Sequence, residues 1–206
     1  VVVCWWMVQN QDLVGWALGI AGAILLAYVG HAAYTRLDRH ARHRIFAAVI
    51  LMIGSVLFWA LFEQAGSSLN LYTDRYVNRD MFGWEVPASM FQAINAGYII
   101  LLAPLFAWLW TTLGERGLEP SAPAKFGLGI VQLGAGFLVL VAGATAVANG
   151  AATPVLFIFL IYLLHTTGEL CLSPVGLSAM TKLAPARMVS LMMGTWFLAS
   201  AGRNYI

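Results

Sequence analysis

Charge is what this sequence has least of. Charged residues occupy 10% of its 206 positions, against 61% for hydrophobic ones, and the mean hydropathy is +0.79. A soluble domain carries about 25% charged residues, so this chain has too little polar surface to cover itself in water. The formal net charge is only +2. With no basic tract and no base-stacking pattern, no nucleic acid is expected as a partner. Cysteine is scarce as well: Cys4 and Cys171 sit inside apolar runs and read as small buried hydrophobes, because a disulfide framework needs paired cysteines in loop-rich sequence. Alternating strands with regular turns are absent, which argues against an outer-membrane barrel. Neither a methionine nor a signal peptide opens the chain, which begins Val-Val-Val and stops in an apolar run at Tyr205-Ile206. Both ends are expected to be cuts from a longer protein.

What is present is a series of long apolar runs. A membrane helix needs about 20 mostly apolar residues, rising ~1.5 Å each, to cross the hydrocarbon. Six stretches meet or approach this: Leu13–Tyr34, Ile45–Leu69, Ala88–Trp110, Phe126–Ala148, Pro154–Leu177 and Val189–Ile206. The last is short and contains Arg203. Val1–Val8 reads as the tail of an earlier span that turns back through Gln9–Asp12. The expected fold is therefore all-α and polytopic in a membrane. Loop charge orients it. Arg36, Arg39, Arg42, Arg44, Arg116, Lys125, Lys182 and Arg187 fall on one side, and only Arg75 and Arg79 on the other. This places loops 36–44, 111–125 and 178–188 in the cytoplasm and turns Asn70–Pro87, the longest loop, outward, where it can fold over an entrance. Trp5, Trp6, Trp84, Trp108 and Trp110 lie near span ends, as in an interfacial belt. Gly15, Gly19, Gly22, Gly127, Gly129, Gly134, Gly136 and Gly143 read as sites of close helix packing.

Two acids stand where acids are costly. An ionisable group in hydrocarbon costs ~2.5–3.5 kcal/mol on the mild insertion scale, so it faces a cavity or a partner. Glu63 lies toward the outer side of its span, and Glu169 toward the inner side of its own, as two opposing gates require. Trp59 and Glu63 are four apart and share a helical face, as do His165, Glu169 and Ser173. Pro174 lacks a backbone donor and is expected to loosen the turn Gly168–Ser173. Asn95 and Gln92 lie near the outer start of their span, and Gln132 inside another. Each glutamate can also simply pair with a base and pin two helices. His165 reads as a hydrogen-bonded packing residue rather than a proton relay. With Glu169 it makes a poor metal site, since catalytic zinc wants three protein ligands. Gln92 and Gln132 can satisfy neighbouring helices, and Trp59 and Trp196 can be ordinary packing aromatics. Composition and periodicity reach a helical solute carrier and stop there.

Three blocks carry a resemblance. Phe58-Trp59-Ala60-Leu61-Phe62-Glu63-Gln64-Ala65-Gly66-Ser67-Ser68-Leu69-Asn70 resembles the seventh transmembrane helix of the proton-dependent oligopeptide transporter family. Gly168-Glu169-Leu170-Cys171-Leu172-Ser173-Pro174-Val175-Gly176-Leu177-Ser178, with Lys182-Leu183-Ala184-Pro185, resembles its tenth helix and the loop after it. Met193-Gly194-Thr195-Trp196-Phe197-Leu198 resembles its eleventh. The resemblance implies a major-facilitator fold, two six-helix bundles rocking about a central site. Residues 45–206 would be the C-terminal bundle from helix seven to a truncated end, residues 36–44 a cytoplasmic basic linker, and residues 1–35 an inserted hairpin whose first helix is cut. It further implies proton-coupled symport of di- and tripeptides across a bacterial inner membrane. No cofactor is implied, protons being the coupling ion. Glu63 matches the acid that pairs with a first-helix arginine to close the outer gate. Glu169 matches the acid that holds the peptide amino terminus and pairs with a fourth-helix lysine. Asn95, Ser173, Trp59, Trp196 and Phe197 match positions lining the pocket. Two positions depart from the family: Ala96-Gly97 follow Asn95 where a proline is usual, and in Gly202-Arg203-Asn204-Tyr205 Arg203 disturbs a Gly-Asn pair that a small or apolar residue usually precedes. The expected partners are the peptide, the bilayer and an N-terminal bundle of the same protein. A carrier of nitrate or another small metabolite is the competing cargo. A membrane enzyme built on His165 and Glu169 is the competing class, but it lacks a His-Glu-xx-His motif, a nucleophile–base pair and a third ligand.

Overall fold

The computed structural model describes residues 2–202, apart from the side chains of residues 2–4, 8, 146, 177 and 202. The Cys4 thiol and the motif residues Arg203, Asn204 and Tyr205 therefore lie outside the described residues. Among the described residues the helices are α1 Val2–Gln9, α2 Gln11–Arg36, α3 Arg39–Phe62, α4 Ser68–Tyr76, α5 Ala93–Glu115, α6 Ala122–Ala148, α7 Leu156–Leu183 and α8 Val189–Gly202. Short 3-10 turns occupy Glu63–Gly66, Ala88–Gln92 and Ala186–Met188. Strand structure is confined to four two-residue pieces: β1 Val77–Asn78, β2 Asp80–Met81, β3 Trp84–Glu85 and β4 Thr153–Pro154. Five segments are long and apolar enough to cross a membrane, Gln11–Arg36, Arg39–Tyr76, Ala88–Glu115, Ala122–Thr145 and Leu156–Leu183. Helix α5 makes the point most clearly. No residue of it is buried, although Ile100, Leu101, Leu105 and Trp108 are exposed, and a helix apolar all round needs lipid or protein around it.

The chain divides into two compact units, residues 1–60 with 176–206, and residues 61–175. In the first, α2 packs along α8. The buried face of α3 is set by helical spacing, with Ile45, Ala48, Met52 and Ser55 buried, while Phe46, Ile50, Ile53 and Leu57 point outward. Helix α2 stops at Arg36 and α3 begins at Arg39, so most of the basic stretch 36–44 lies in the first turns of α3. Two of the loops assigned to one side by charge meet at the same end of this unit. The Arg187 guanidinium donates to the Arg36 carbonyl at 2.5 Å, Arg44 donates to the Lys182 carbonyl, and Arg42 lies 4.7 Å over the Tyr34 ring. The expected turn at Gln9–Asp12 reduces to one residue: α2 starts again at Gln11, and the Asn10 side chain donates back to the Trp6 carbonyl.

The second unit holds a core of Leu69, Val77, Val86, Phe91, Ile158, Ile161 and Tyr162. Helix α6 is drawn close to α7 at three glycines spaced seven apart. A Cβ at Gly129 would lie 2.9 Å from the Gly168 carbonyl, at Gly136 2.7 Å from His165, and at Gly143 2.7 Å from Phe157. Only part of the glycine reading holds, because a Cβ at Gly19, Gly22, Gly127 or Gly134 would meet nothing within 4 Å. Helix α5 ends in a Schellman turn, with Leu118 donating to the Leu113 carbonyl and Gly117 to that of Gly114, Gly117 being at φ 68°.

The stretch 70–87, expected as a loop, is built instead. Helix α4 takes up its first part, because Thr73 and Leu69 are buried on one side and Thr73 donates to the Leu69 carbonyl at 2.8 Å. A hairpin of β2 and β3 follows, pairing Asp80 with Glu85 and Met81 with Trp84. Arg79 gathers these parts, bridging Glu85 at 2.8 Å and Asp74 at 3.2 Å and donating to the Val86 carbonyl. Strand β1 runs parallel to β4, and Thr153 hydrogen-bonds both the Tyr72 hydroxyl and the Gly143 carbonyl.

Candidate functional site

The polar centre of the second unit forms where α5 meets α7. Asn95 lies in the first turn of α5, and Tyr162, Thr166 and Glu169 follow one another along one side of α7 at spacings of four and three. The Thr166 hydroxyl, 0% exposed, lies 2.6 Å from Asn95 Oδ1 and 2.7 Å from the Tyr162 carbonyl. Asn95 Nδ2 in turn donates to Glu169 Oε2 at 3.4 Å, a long and weak bond. A carboxylate offers about four lone-pair sites, so this single bond leaves Glu169 able to accept more donors. The side chain is half-buried. Asn95 and Glu169 are thus brought together. Ser173, one turn along α7, is exposed, and Gln92 is exposed as well.

Pro174 does not interrupt its helix, because α7 runs unbroken from Leu156 to Leu183. The expected loosening is limited to the one N–H that proline cannot supply. Trp59 and Glu63, four apart, stand on successive elements rather than on one α-helix. Alpha geometry ends at Phe62, and Glu63 opens the 3-10 turn Glu63–Gly66. The sequence Gln64-Ala65-Gly66-Ser67-Ser68 tightens there because glycine and serine are weak helix residues; the Ser67 N–H turns back to the Gln64 carbonyl, and both serine hydroxyls donate to Gln64 Oε1, at 3.1 and 2.7 Å. Trp59 is half-buried and meets Phe58 edge-on at 5.5 Å. It belongs to the first unit, as do Trp196, half-buried on α8, and Phe197, 60% exposed.

His165 does pack, but not as a hydrogen-bonded residue. It is 1% exposed, held between Phe137 at 5.0 Å and Phe62 at 5.9 Å between ring centres, over Gly136. Among the described residues neither ring nitrogen has a hydrogen-bond partner of good geometry, the Leu133 backbone being the polar group beside the ring. The imidazole thus faces α6 while its neighbour Thr166 faces α5. Gln132 spans two helices, donating to the Leu128 carbonyl at 3.1 Å and to Cys171 Sγ at 3.5 Å. Cys171 is buried and free, as its apolar setting suggested. Among the described residues no three of His, Cys, Asp and Glu gather to hold a metal ion. A groove of about 950 Å³ opens in the first unit between α2, α3 and α8. Its walls are apolar apart from Asp12 and Thr195, so it offers none of the chemistry of the α5–α7 cluster.

Thr166 is the member of the cluster that sequence reasoning passed over. The available signal was its place three residues before Glu169 in His165-Thr166-Thr167-Gly168-Glu169. A hydroxyl in a membrane helix bonds its own i−4 carbonyl so readily that it attracts no notice until a partner on another helix is seen.

Comparison with known proteins gives a consistent answer. The POT family model matches residues 3–206. The peptide transporter YePEPT of Yersinia enterocolitica subsp. palearctica is 42% identical over 187 residues, which is 90% of this chain and 37% of that protein. Dipeptide and tripeptide permease B of Salmonella typhimurium is 33% identical over 98% of this chain and 41% of its own length. A crystal structure of a peptide transporter POT in complex with sulfate superposes with a TM-score of 0.81 at 34% identity, covering 98% of this chain and 42% of that one. The chain thus spans about two-fifths of the length of the relatives it matches. By its matched length and its helical architecture, this multi-pass membrane chain belongs to the POT family.

Proposed function

We propose that this chain supplies the C-terminal half of a transporter that couples inward proton flow to uptake of di- and tripeptides across a bacterial inner membrane. The observation that carries the reading is Glu169. It is an acid in a membrane helix, half-buried, and bonded only loosely by Asn95. An ammonium group brought to that carboxylate forms charge-assisted hydrogen bonds that are strong in a low-dielectric cavity. Every dipeptide carries such a group whatever its side chains. The same carboxylate, protonated, loses its hold on a cation, which lets a proton gradient favour one conformation of an alternating-access carrier.

On this reading Glu63 serves the outer gate, paired with a base from an N-terminal bundle of the same protein. Ser173, Trp59, Trp196 and Phe197 line the path with Asn95, and the aromatics accept varied side chains without demanding polar partners. Residues 1–35 are an inserted hairpin, 36–44 a basic linker and 45–206 the bundle proper. Loops 36–44, 111–125 and 178–188 lie in the cytoplasm. The bonds joining Arg187 to Arg36 and Arg44 to Lys182 support a common side for two of them.

The test is uptake by the complete transporter reconstituted in proteoliposomes. Labelled dialanine is expected to accumulate only under an inward proton gradient, and excess unlabelled di- and tripeptides are expected to compete where nitrate does not. Competition by nitrate alone, or uptake indifferent to the gradient, would replace this cargo with another.

A further inference from the structure

The geometry points to Thr166 as a positioning residue for substrate recognition, one that holds the Asn95 amide with its NH2 group toward Glu169. The inference rests on the peptide-carrier reading and deepens its amine site. An asparagine side chain can present either its oxygen or its nitrogen to a neighbour, and only the network around it decides which. An ionised carboxylate accepts hydrogen bonds and donates none, so the Glu169 side prefers Asn95 Nδ2. That preference acts across 3.4 Å and is weak. The other end of the amide is held far more tightly, with Thr166 Oγ1 at 2.6 Å from Asn95 Oδ1.

The hydroxyl has a single proton and two acceptors within reach, since the Tyr162 carbonyl is 2.7 Å away. That carbonyl is already served by the backbone N–H of Thr166, four residues on in the same helix. Asn95 Oδ1 has no other donor among the described residues, so the proton stabilises the network most when it goes to Asn95. Thr166 is fully buried, so removing the hydroxyl takes from Asn95 Oδ1 the donor that fixes it. Without it the amide is free to turn its oxygen toward Glu169. An oxygen facing the carboxylate repels it and replaces the Nδ2 bond that holds it, which loosens the site at the point where the substrate's amine is selected.

The experiment measures dialanine uptake against concentration in the complete transporter, for wild type, Thr166→Val, Thr166→Ala, Thr166→Ser and Asn95→Ala. Removing the hydroxyl is expected to raise KM three- to tenfold, about the effect of one hydrogen bond, with the maximal rate close to wild type. Thr166→Ser is expected to restore the wild-type KM. Thr166→Val placed on Asn95→Ala is expected to add nothing further, because the two residues act as one unit. An unchanged KM in both Thr166→Val and Thr166→Ala, failure of serine to rescue, or full additivity with Asn95→Ala overturns the assignment. Thr166→Ala gives the result should the valine variant not fold, since it only removes volume. If wild type takes up no dialanine at all, the peptide reading itself falls, and the role of Thr166 falls with it.

Discussion

The His165 imidazole, 1% exposed, is caged by Gly136 and Phe137 of α6 and by Phe62. Two expectations follow from that cage. Gly136→Ala would place a methyl 2.7 Å from the imidazole, and overpacking of this kind costs about 1–3 kcal/mol, so the Tm of the purified protein should fall by several degrees. An unbonded buried polar group costs about 1–3 kcal/mol, so His165→Leu should leave Tm unchanged or raise it. A His165→Leu protein much less stable than wild type would mean that the ring nitrogens do have a partner. The depth of His165 in an apolar run marks it as buried, but the groups that cage it are 28 or more positions away and no local pattern announces them. Asn95 and Glu169 are legible as chemistry, but the Thr166 hydroxyl that bonds Asn95 is not, because a single threonine in a membrane span carries no periodic signal.

Among the elements, the long apolar runs were legible because lipid selects for length and composition, and both are written in the sequence. The ends and interruptions were less so. The run Ile45–Leu69 was expected as one helix, yet it changes to 3-10 geometry at Glu63, where Ser67 and Ser68 bond to Gln64. The segment 70–87 was expected as a loop, because nine residues of α4 and paired strands of two residues are too short for periodicity to register. Its hairpin has an unusual feature. Phe82 and Gly83 form the two-residue connection with φ of 58° and 81°, the left-handed pair of a type I′ turn that favours Asn-Gly. Phe82 is 102% exposed, so it loses no packing when replaced. Phe82→Asn is therefore expected to raise stability by about 0.5–1 kcal/mol, measurable as slower hydrogen exchange at Met81 and Trp84. Faster exchange there would show that the phenylalanine holds the turn by a contact of its own.

At the scale of the whole molecule, composition alone decides for the membrane, and α5, with none of its residues buried, shows why so few charges suffice. What composition does not decide is which helix faces which. The pairing of α5 with α7 through Asn95, Thr166 and Glu169, and of α6 with α7 through three glycines, depends on contacts distant in sequence. The function proposed above for the complete transporter rests on one carboxylate, Glu169. The most direct test is proton-driven uptake of labelled dialanine by Glu169→Gln in the complete transporter, a change that keeps the shape of the side chain while removing its charge. Uptake at the background level, with wild-type amounts of folded protein in the membrane, is the predicted result. Uptake equal to wild type would contradict the assignment of Glu169 as the amine-binding acid.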